Sequence, residues 1–422
     1  MNSTTPAPVS GPIATTPETR RVVSVDALRG FDMFWILGGD SLAQALKEMS
    51  AHGNAAMSST GSFFGDQLEH VEWAGFRFYD LIFPLFVFIV GVSLVFSLSR
   101  IMEREGKAAA HKRIICRFLL LFALALIYSG GVSRMWPDIR LLGVLNRIAL
   151  CYLFASLLFL NFRLRGLVVA CVSLLVGYWA LMSFVPFPDL RRADAAGHLL
   201  NPAMNITNAT TTAQLNWATT NAVRGVFEPG LNLANYLDAK YLPGKKWDKI
   251  WDPEGLLSTL PAIATCLLGV FAGLLLKNSR VNEKQKSLWL VGVGVAMVAV
   301  GFAWGLQFPV IKKIWTSSYV LVAGGLSAML LGAFHYVIDV RGHQRWATPF
   351  IWIGANAITL YFLDSIVNFE KLASRLVGGD VGDFFDAHMA RGTGHCLAAC
   401  VGLLLAVALA RFLYRHKVFL RV

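Results

Sequence analysis

Two residues are well suited to proton transfer at a membrane surface. His70 stands in the short polar stretch His70-Val71-Glu72-Trp73-Ala74-Gly75, and Asp80 opens the apolar run that follows. An unperturbed imidazole titrates near pH 6.5, so its neutral form is available as a general base at about pH 7. A nearby carboxylate fixes the tautomer and stabilises the imidazolium that forms. Asp40 is a second candidate partner, near the end of an earlier apolar segment, on the same side as His70 and Asp80. The chemistry expected is removal of a proton from an attacking nucleophile. A lone loop histidine is ordinarily a solvated side chain, so the case for His70 rests on those carboxylates.

Other ionisable groups fall inside apolar segments, where charge is costly and usually functional. Arg29 and Asp32 are spaced i,i+3 and are expected to form a structural ion pair. Arg147 follows Asn146 in a later segment. The six cysteines (116, 151, 171, 266, 396 and 400) lie in or beside apolar blocks. They read as buried thiols, with no disulfide framework and no metal cluster.

The elements that position these groups are helices crossing a bilayer. Of 422 residues, 55% are hydrophobic and 15% charged, against about 25% charged in a soluble domain. Residues 166–188, 255–276, 287–311 and 346–363 contain no Asp, Glu, Lys or Arg. A bilayer core of about 30 Å needs about 20 apolar residues. Spans are expected at 27–46, 76–98, 116–134, 141–161, 166–186, 256–276, 287–307, 316–338, 347–366 and 394–414. The fold class is therefore all-α, a polytopic bundle of about ten transmembrane helices. Residues 1–20 read as a disordered tail, not a signal peptide, and 21–422 as one transmembrane domain.

The net charge of +12 points to membrane topology and not to nucleic acid. Its Lys and Arg collect in alternate loops, at 100–117, 163–165, 277–286, 341–345 and 411–421. The positive-inside rule places that side, and both termini, in the cytoplasm. Loops 47–75 and 187–255 then lie outside, the second carrying Trp217, Trp247, Trp251 and the sequons at Asn205 and Asn208.

Several motifs resemble a known family in sequence order. The opening Arg21-Val22-Val23-Ser24-Val25-Asp26-Ala27-Leu28-Arg29-Gly30-Phe31-Asp32 is similar to the start of the catalytic membrane domain in the heparan-alpha-glucosaminide N-acetyltransferase family. The run from His70 to Phe83-Pro84-Leu85-Phe86 matches its second segment. Gly143-Val144-Leu145-Asn146-Arg147, Asp252-Pro253-Glu254-Gly255 and Lys313-Ile314-Trp315-Thr316-Ser317-Ser318-Tyr319 resemble later elements. The family's catalytic His falls on His70 and its Asp on Asp80, while Asp40 replaces a family Asn.

The resemblance implies an acyltransferase. It takes an acetyl group from cytoplasmic acetyl-CoA and passes it to an amino sugar or glycan on the outer side, either directly or through an acetyl-histidine. It assigns Arg29, Asn146 and Arg147 to acetyl-CoA, and Trp73 and Glu254 to the acceptor. It further implies a lipid-embedded protein of the bacterial inner membrane, a homodimer, and no metal. The competing reading is an amino-sugar transporter, which would place its site at the bilayer midplane between broken helices.

Overall fold

The computed structural model describes residues 22–52, 55–193, 199–200, 215, 217 and 219–419. The expected tail and both sequons lie outside the described residues. Fourteen α-helices and four two-residue strands follow in chain order.

The first helix, α1 (Val23–His52), leads through α2 (Ala55–Gln67) and a 3-10 turn (Phe78–Leu81) into α3 (Ile82–Tyr128). Next come α4 (Val144–Asn161) and α5 (Leu164–Phe184). The long loop beyond them contains β1 (Phe187–Pro188), β2 (Arg192–Ala193), β3 (Leu199–Leu200), β4 (Ala222–Val223) and α6 (Leu233–Tyr241). β1 pairs with β4 and β2 with β3, both antiparallel. These short ladders and a few isolated bridges are minor departures from an otherwise helical chain. Then follow α7 (Thr259–Lys277), α8 (Glu283–Gly305) and α9 (Ser317–Phe334), the last running on as a π-helical turn at His335–Val340. The chain closes with α10 (Thr348–Ala355), α11 (Ala357–Val367), α12 (Phe369–Val377), α13 (Asp380–His388) and α14 (Thr393–Arg415).

Among the described residues, seven helices are long and apolar enough to cross a bilayer, or eight if the α10–α11 pair, bent by 70°, is one span. Two physical features separate this number from the ten expected segments. α1 carries Asp26, Arg29, Asp32, Asp40, Lys47 and Glu48 along its length, which lowers its mean hydropathy. α3 holds the two expected segments 76–98 and 116–134 as one 47-residue element broken at Gly106, where φ is 84° and ψ is 179°. Phe83 and Phe86 from its start and Ala125 and Tyr128 from its end line the same pocket. In a straight helix Phe83 and Ala125 would be roughly 60 Å apart. The chain therefore reverses near Gly106, whose missing Cβ permits that positive φ.

Helix contacts in the core depend on small residues. A Cβ on Gly91 of α3 would stand 2.0 Å from the Cys266 carbonyl oxygen of α7, and one on Gly269 would stand 1.9 Å from that of Phe88. A Cβ on Gly30 of α1 would meet the Phe350 carbonyl oxygen at 1.7 Å. Within a bilayer, association relies on this close backbone approach, because lipid tails are as apolar as the side chains. The outer helices do the reverse. Val168, Val169, Val172 and Val176 of α5, and Leu288, Trp289, Val293 and Val300 of α8, face outward. An apolar surface of that extent is suited to lipid. Gly91→Val is expected to push α3 from α7 and cost about 1–3 kcal/mol, read as a lowered Tm of the detergent-solubilised protein.

Candidate active site

The segment from His70 to Leu81 is shaped by one buried carboxylate. Asp80 Oδ2 accepts from the backbone N–H groups of Val71 (3.2 Å) and Arg77 (3.1 Å), and Oδ1 lies 3.0 Å from His70 Nδ1. The 3-10 turn thus enters α3 with its free N–H groups satisfied by a side chain. Tyr319 of α9 donates to the Asp80 carbonyl at 2.7 Å and ties the turn to the bundle.

The same segment lies along the loop before α9. Gly75 donates to Val310 (2.9 Å), and Ala74 pairs with Ile311. Gly75 has φ +127°, which favours glycine. Thr316 locks that loop: its hydroxyl accepts from Ile311 N–H at 3.0 Å and caps α9 through Tyr319 N–H. Trp315 sits at φ 51°, uncommon for a bulky side chain, with its indole N–H on Thr265 at 3.1 Å. The pairing lays Lys312 beside the imidazole, with Nζ 2.8 Å from His70 Nδ1, 3.2 Å from Nε2 and 3.4 Å from Asp80 Oδ1.

Nδ1 holds at most one proton, so the triangle has two arrangements. In the first, Nδ1–H donates to Asp80 and Nε2 keeps its lone pair. In the second, the Lys312 ammonium spans Asp80 and the Nδ1 lone pair, and the ring proton moves to Nε2. Only the first leaves Nε2 able to accept a proton. Burial pulls the Lys312 ammonium below its ordinary value, while Asp80 opposes that shift.

His70 stacks on Tyr79, with ring centroids 4.8 Å apart. Tyr79 lies against Gly39, where a Cβ would come within 2.5 Å of the ring, and its hydroxyl donates to the Trp35 carbonyl at 3.5 Å. Asp40 lines the same pocket as His70 and Tyr79, whereas Asp80 meets the ring directly. These groups border a pocket of about 530 Å³. Its walls include Asp40, His70, Tyr79, Tyr128, Arg140, Asn146, Trp247, Glu254, Lys312, Trp315, Tyr361 and Asp364, and its apolar floor Met33, Phe83 and Phe86.

Of the residues singled out from the sequence, His70, Asp80, Asp40, Asn146 and Glu254 meet here, and three stand apart. Arg147 is fully buried; it donates to Ser258 and, at 3.3 Å, to the Gly255 carbonyl, and stacks 5.0 Å over Trp315. Arg29 binds Ser93 (2.6 Å), the Gly354 carbonyl (3.4 Å) and Asp26 (3.5 Å). The expected Arg29–Asp32 pair does not form, because helical side chains lean toward the N-terminus and Arg29 reaches Asp26. Both Asp32 oxygens are buried without a hydrogen-bond partner among the described residues. Trp73 donates its indole N–H to the Phe227 carbonyl at 2.7 Å and packs into the loop between α5 and α7, not the pocket. Asn146 lines the pocket while its Oδ1 accepts from Gly143 N–H at 3.2 Å.

Lys312 and Arg140 belong to the site although nothing in their local pattern singled them out. Lys312 stands one residue before the Lys313-Ile314-Trp315 motif. Arg140 holds Asp252 with two bonds (2.7 and 2.6 Å) and Glu254 with one (2.5 Å), and lies 5.1 Å over Trp247. Burial raises Glu254 to about 6 against the pull of Arg147 and Arg140. Beneath that loop, Asp238 accepts from the N–H groups of Leu256 (2.8 Å) and Asp252 (3.4 Å), and burial raises it to about 7.

Long apolar helices around a pocket bordered by a His–Asp pair define an integral membrane protein. Comparison with known proteins points to a family: residues 21–196 are similar to the one described as heparan-alpha-glucosaminide N-acetyltransferase, catalytic. Human heparan-alpha-glucosaminide N-acetyltransferase is 25% identical over 406 residues, covering 84% of this chain and 56% of that protein. The mouse protein of the same name is 26% identical over 452 residues, covering 96% of this chain and 62% of that protein. These matches support the family resemblance read from the sequence. The chain spans about 56 to 62% of the length of these curated relatives.

The raised Asp238 sets a sign for stability. A carboxyl whose folded value lies above its unfolded one stabilises most when protonated, so its contribution fades between about pH 4 and 7. Asp238→Asn is expected to flatten this part of a Tm-against-pH curve.

Proposed function

We propose that the protein is a membrane-embedded acetyltransferase that takes an acetyl group from acetyl-CoA and transfers it to the amine of a sugar held in the pocket beside His70. The observation that carries this reading is the His70–Asp80 pair, 3.0 Å apart at the edge of a pocket of about 530 Å³. The family match and the names of the relatives supply the acetyl donor and the sugar class.

In this reading His70 Nε2 accepts a proton from the acceptor nitrogen as that nitrogen attacks the thioester carbonyl. Asp80 holds Nδ1–H and stabilises the imidazolium. The carbon–sulfur bond breaks, and the imidazolium returns the proton to the thiolate. Tyr128 and Tyr361, stacked with centroids 4.9 Å apart, join Trp247 and Trp315 in offering rings to a sugar face. Asp40, Glu254 and Asp364 offer acceptors to its hydroxyl groups. Arg29 and Arg147 enter only as framework: Arg29 binds Ser93 and the Gly354 carbonyl, and Arg147 is fully buried against Ser258 and Gly255, behind the pocket wall. We further propose about ten crossings with α3 as two of them. Both termini would lie on the basic cytoplasmic side and the pocket would open outward.

One feature favours the transport reading. α10 and α11 meet at a 70° break beside Asn356, whose buried amide atoms lack partners among the described residues. Broken helices of this kind build substrate sites in transporters. Reconstituted protein separates the two readings: sugar uptake without CoA release supports transport, and CoA release dependent on amino sugar supports transfer.

Purified protein is expected to release CoA from acetyl-CoA when glucosamine is present. His70→Ala should lower the rate about 100- to 10,000-fold, the range for loss of a general base. Asp40→Asn should stay within about tenfold of wild type, because Asp80, not Asp40, bonds the imidazole and an amide oxygen still accepts hydrogen bonds. Full turnover by a folded His70→Ala protein would remove His70 from the chemistry.

A further inference from the structure

We propose that Lys312 is a self-acetylation site: when no acceptor is bound, its side-chain amine takes the acetyl group that the pocket is built to transfer. The inference rests on the acetyltransferase reading above.

The geometry is that of a tethered acceptor. An acceptor nitrogen must lie within hydrogen-bond reach of the imidazole that deprotonates it. Lys312 Nζ is already there, 2.8 Å and 3.2 Å from the two ring nitrogens. Its side chain is 19% exposed and lines the pocket. The locked turn from Phe308 to Thr316 holds it in place: Ser318 donates to the Phe308 carbonyl at 2.6 Å, and Thr316 binds Ile311. A group held so near a reacting carbon behaves as though very concentrated. Lys313 supplies an internal contrast. It is the other lysine in the pocket wall, but its ammonium is on Asp248 at 3.0 Å.

The step balances without any further reactant. The neutral Lys312 amine attacks the thioester carbonyl and a carbon–nitrogen bond forms. His70 takes the proton from that nitrogen, the carbon–sulfur bond breaks, and the thiolate receives the proton as CoA leaves. Burial favours the neutral amine that the attack needs. The resulting amide is uncharged, so it no longer pairs with Asp80 as a cation, and its acyl group fills the space beside His70. That copy of the protein stops turning over, and a bound amino sugar protects against the event by occupying the same place.

The test incubates the full chain with isotope-labelled acetyl-CoA, with and without glucosamine, and reads each lysine by peptide mass spectrometry. Without glucosamine, label is expected on Lys312 at least about tenfold above Lys313, the minimum margin for so favoured a position. Glucosamine should suppress it, and His70→Ala should bring it down to the level of Lys313. Pre-incubation with acetyl-CoA alone should slow later turnover of the wild type, whereas Lys312→Arg, whatever its own rate, should show no time-dependent loss. CoA release with glucosamine but no label on Lys312 overturns the inference and leaves the acetyltransferase reading intact. Equal label on both lysines, or label that persists in His70→Ala, also overturns it. No label and no CoA release with any amino sugar overturns both.

Discussion

The Asp80 carboxylate is the constraint on which the site depends. It is 1% exposed at the entrance to an apolar helix, where an unpaired charge would be costly. Two backbone N–H groups, an imidazole and an ammonium surround it. Satisfying this one group fixes the turn before α3, the placement of His70 and the approach of the loop before α9. Loss of either partner element would leave a desolvated charge, so geometry and stability are coupled here.

The pocket end of the bundle applies the same rule on a larger scale. Arg140 binds two carboxylates, Arg147 reaches Ser258 and the backbone beneath them, and Asp238 collects two N–H groups of the same loop. A Cβ on Gly255 would lie 1.8 Å from Asp238, so the loop is pressed onto this carboxyl. The pocket wall carrying Glu254 is thus held from below by buried, mutually bonded groups. Such networks lose most when only partly satisfied. A rigid wall of this kind is what a site needs when the position of a nucleophile decides its rate.

The helical segments were legible because a bilayer imposes a length and an exclusion of charge that a single sequence displays directly. The reversal near Gly106 was legible too, as the charged loop between the expected segments 76–98 and 116–134; what was not is that helix continues up to both sides of that glycine. His70, Asp80, Asp40 and Glu254 were found through local motifs and polar residues near apolar runs. Lys312 lies 242 positions from His70, and nothing near it in the chain signals that partner. Only the pairing of Ala74 with Ile311 brings them together, and such registers are tertiary facts. Arg147 is the opposite case. A charge in an apolar segment reads as functional, yet its partners are a serine hydroxyl, a backbone carbonyl and an indole face, none visible as a charge complement.

The His70 triangle carries a last consequence for how the site works. One ring nitrogen cannot donate to Asp80 and accept from Lys312 at the same moment. While the ammonium spans both, the ring proton sits on Nε2, and the imidazole cannot act as a base toward the pocket. The base is restored when Lys312 loses a proton or moves aside, and burial together with the arrival of another amine favours either change. On the acetyltransferase reading, an acceptor amine that enters beside His70 displaces the group that holds the ring in its inactive tautomer, so its binding and activation of the base become one event.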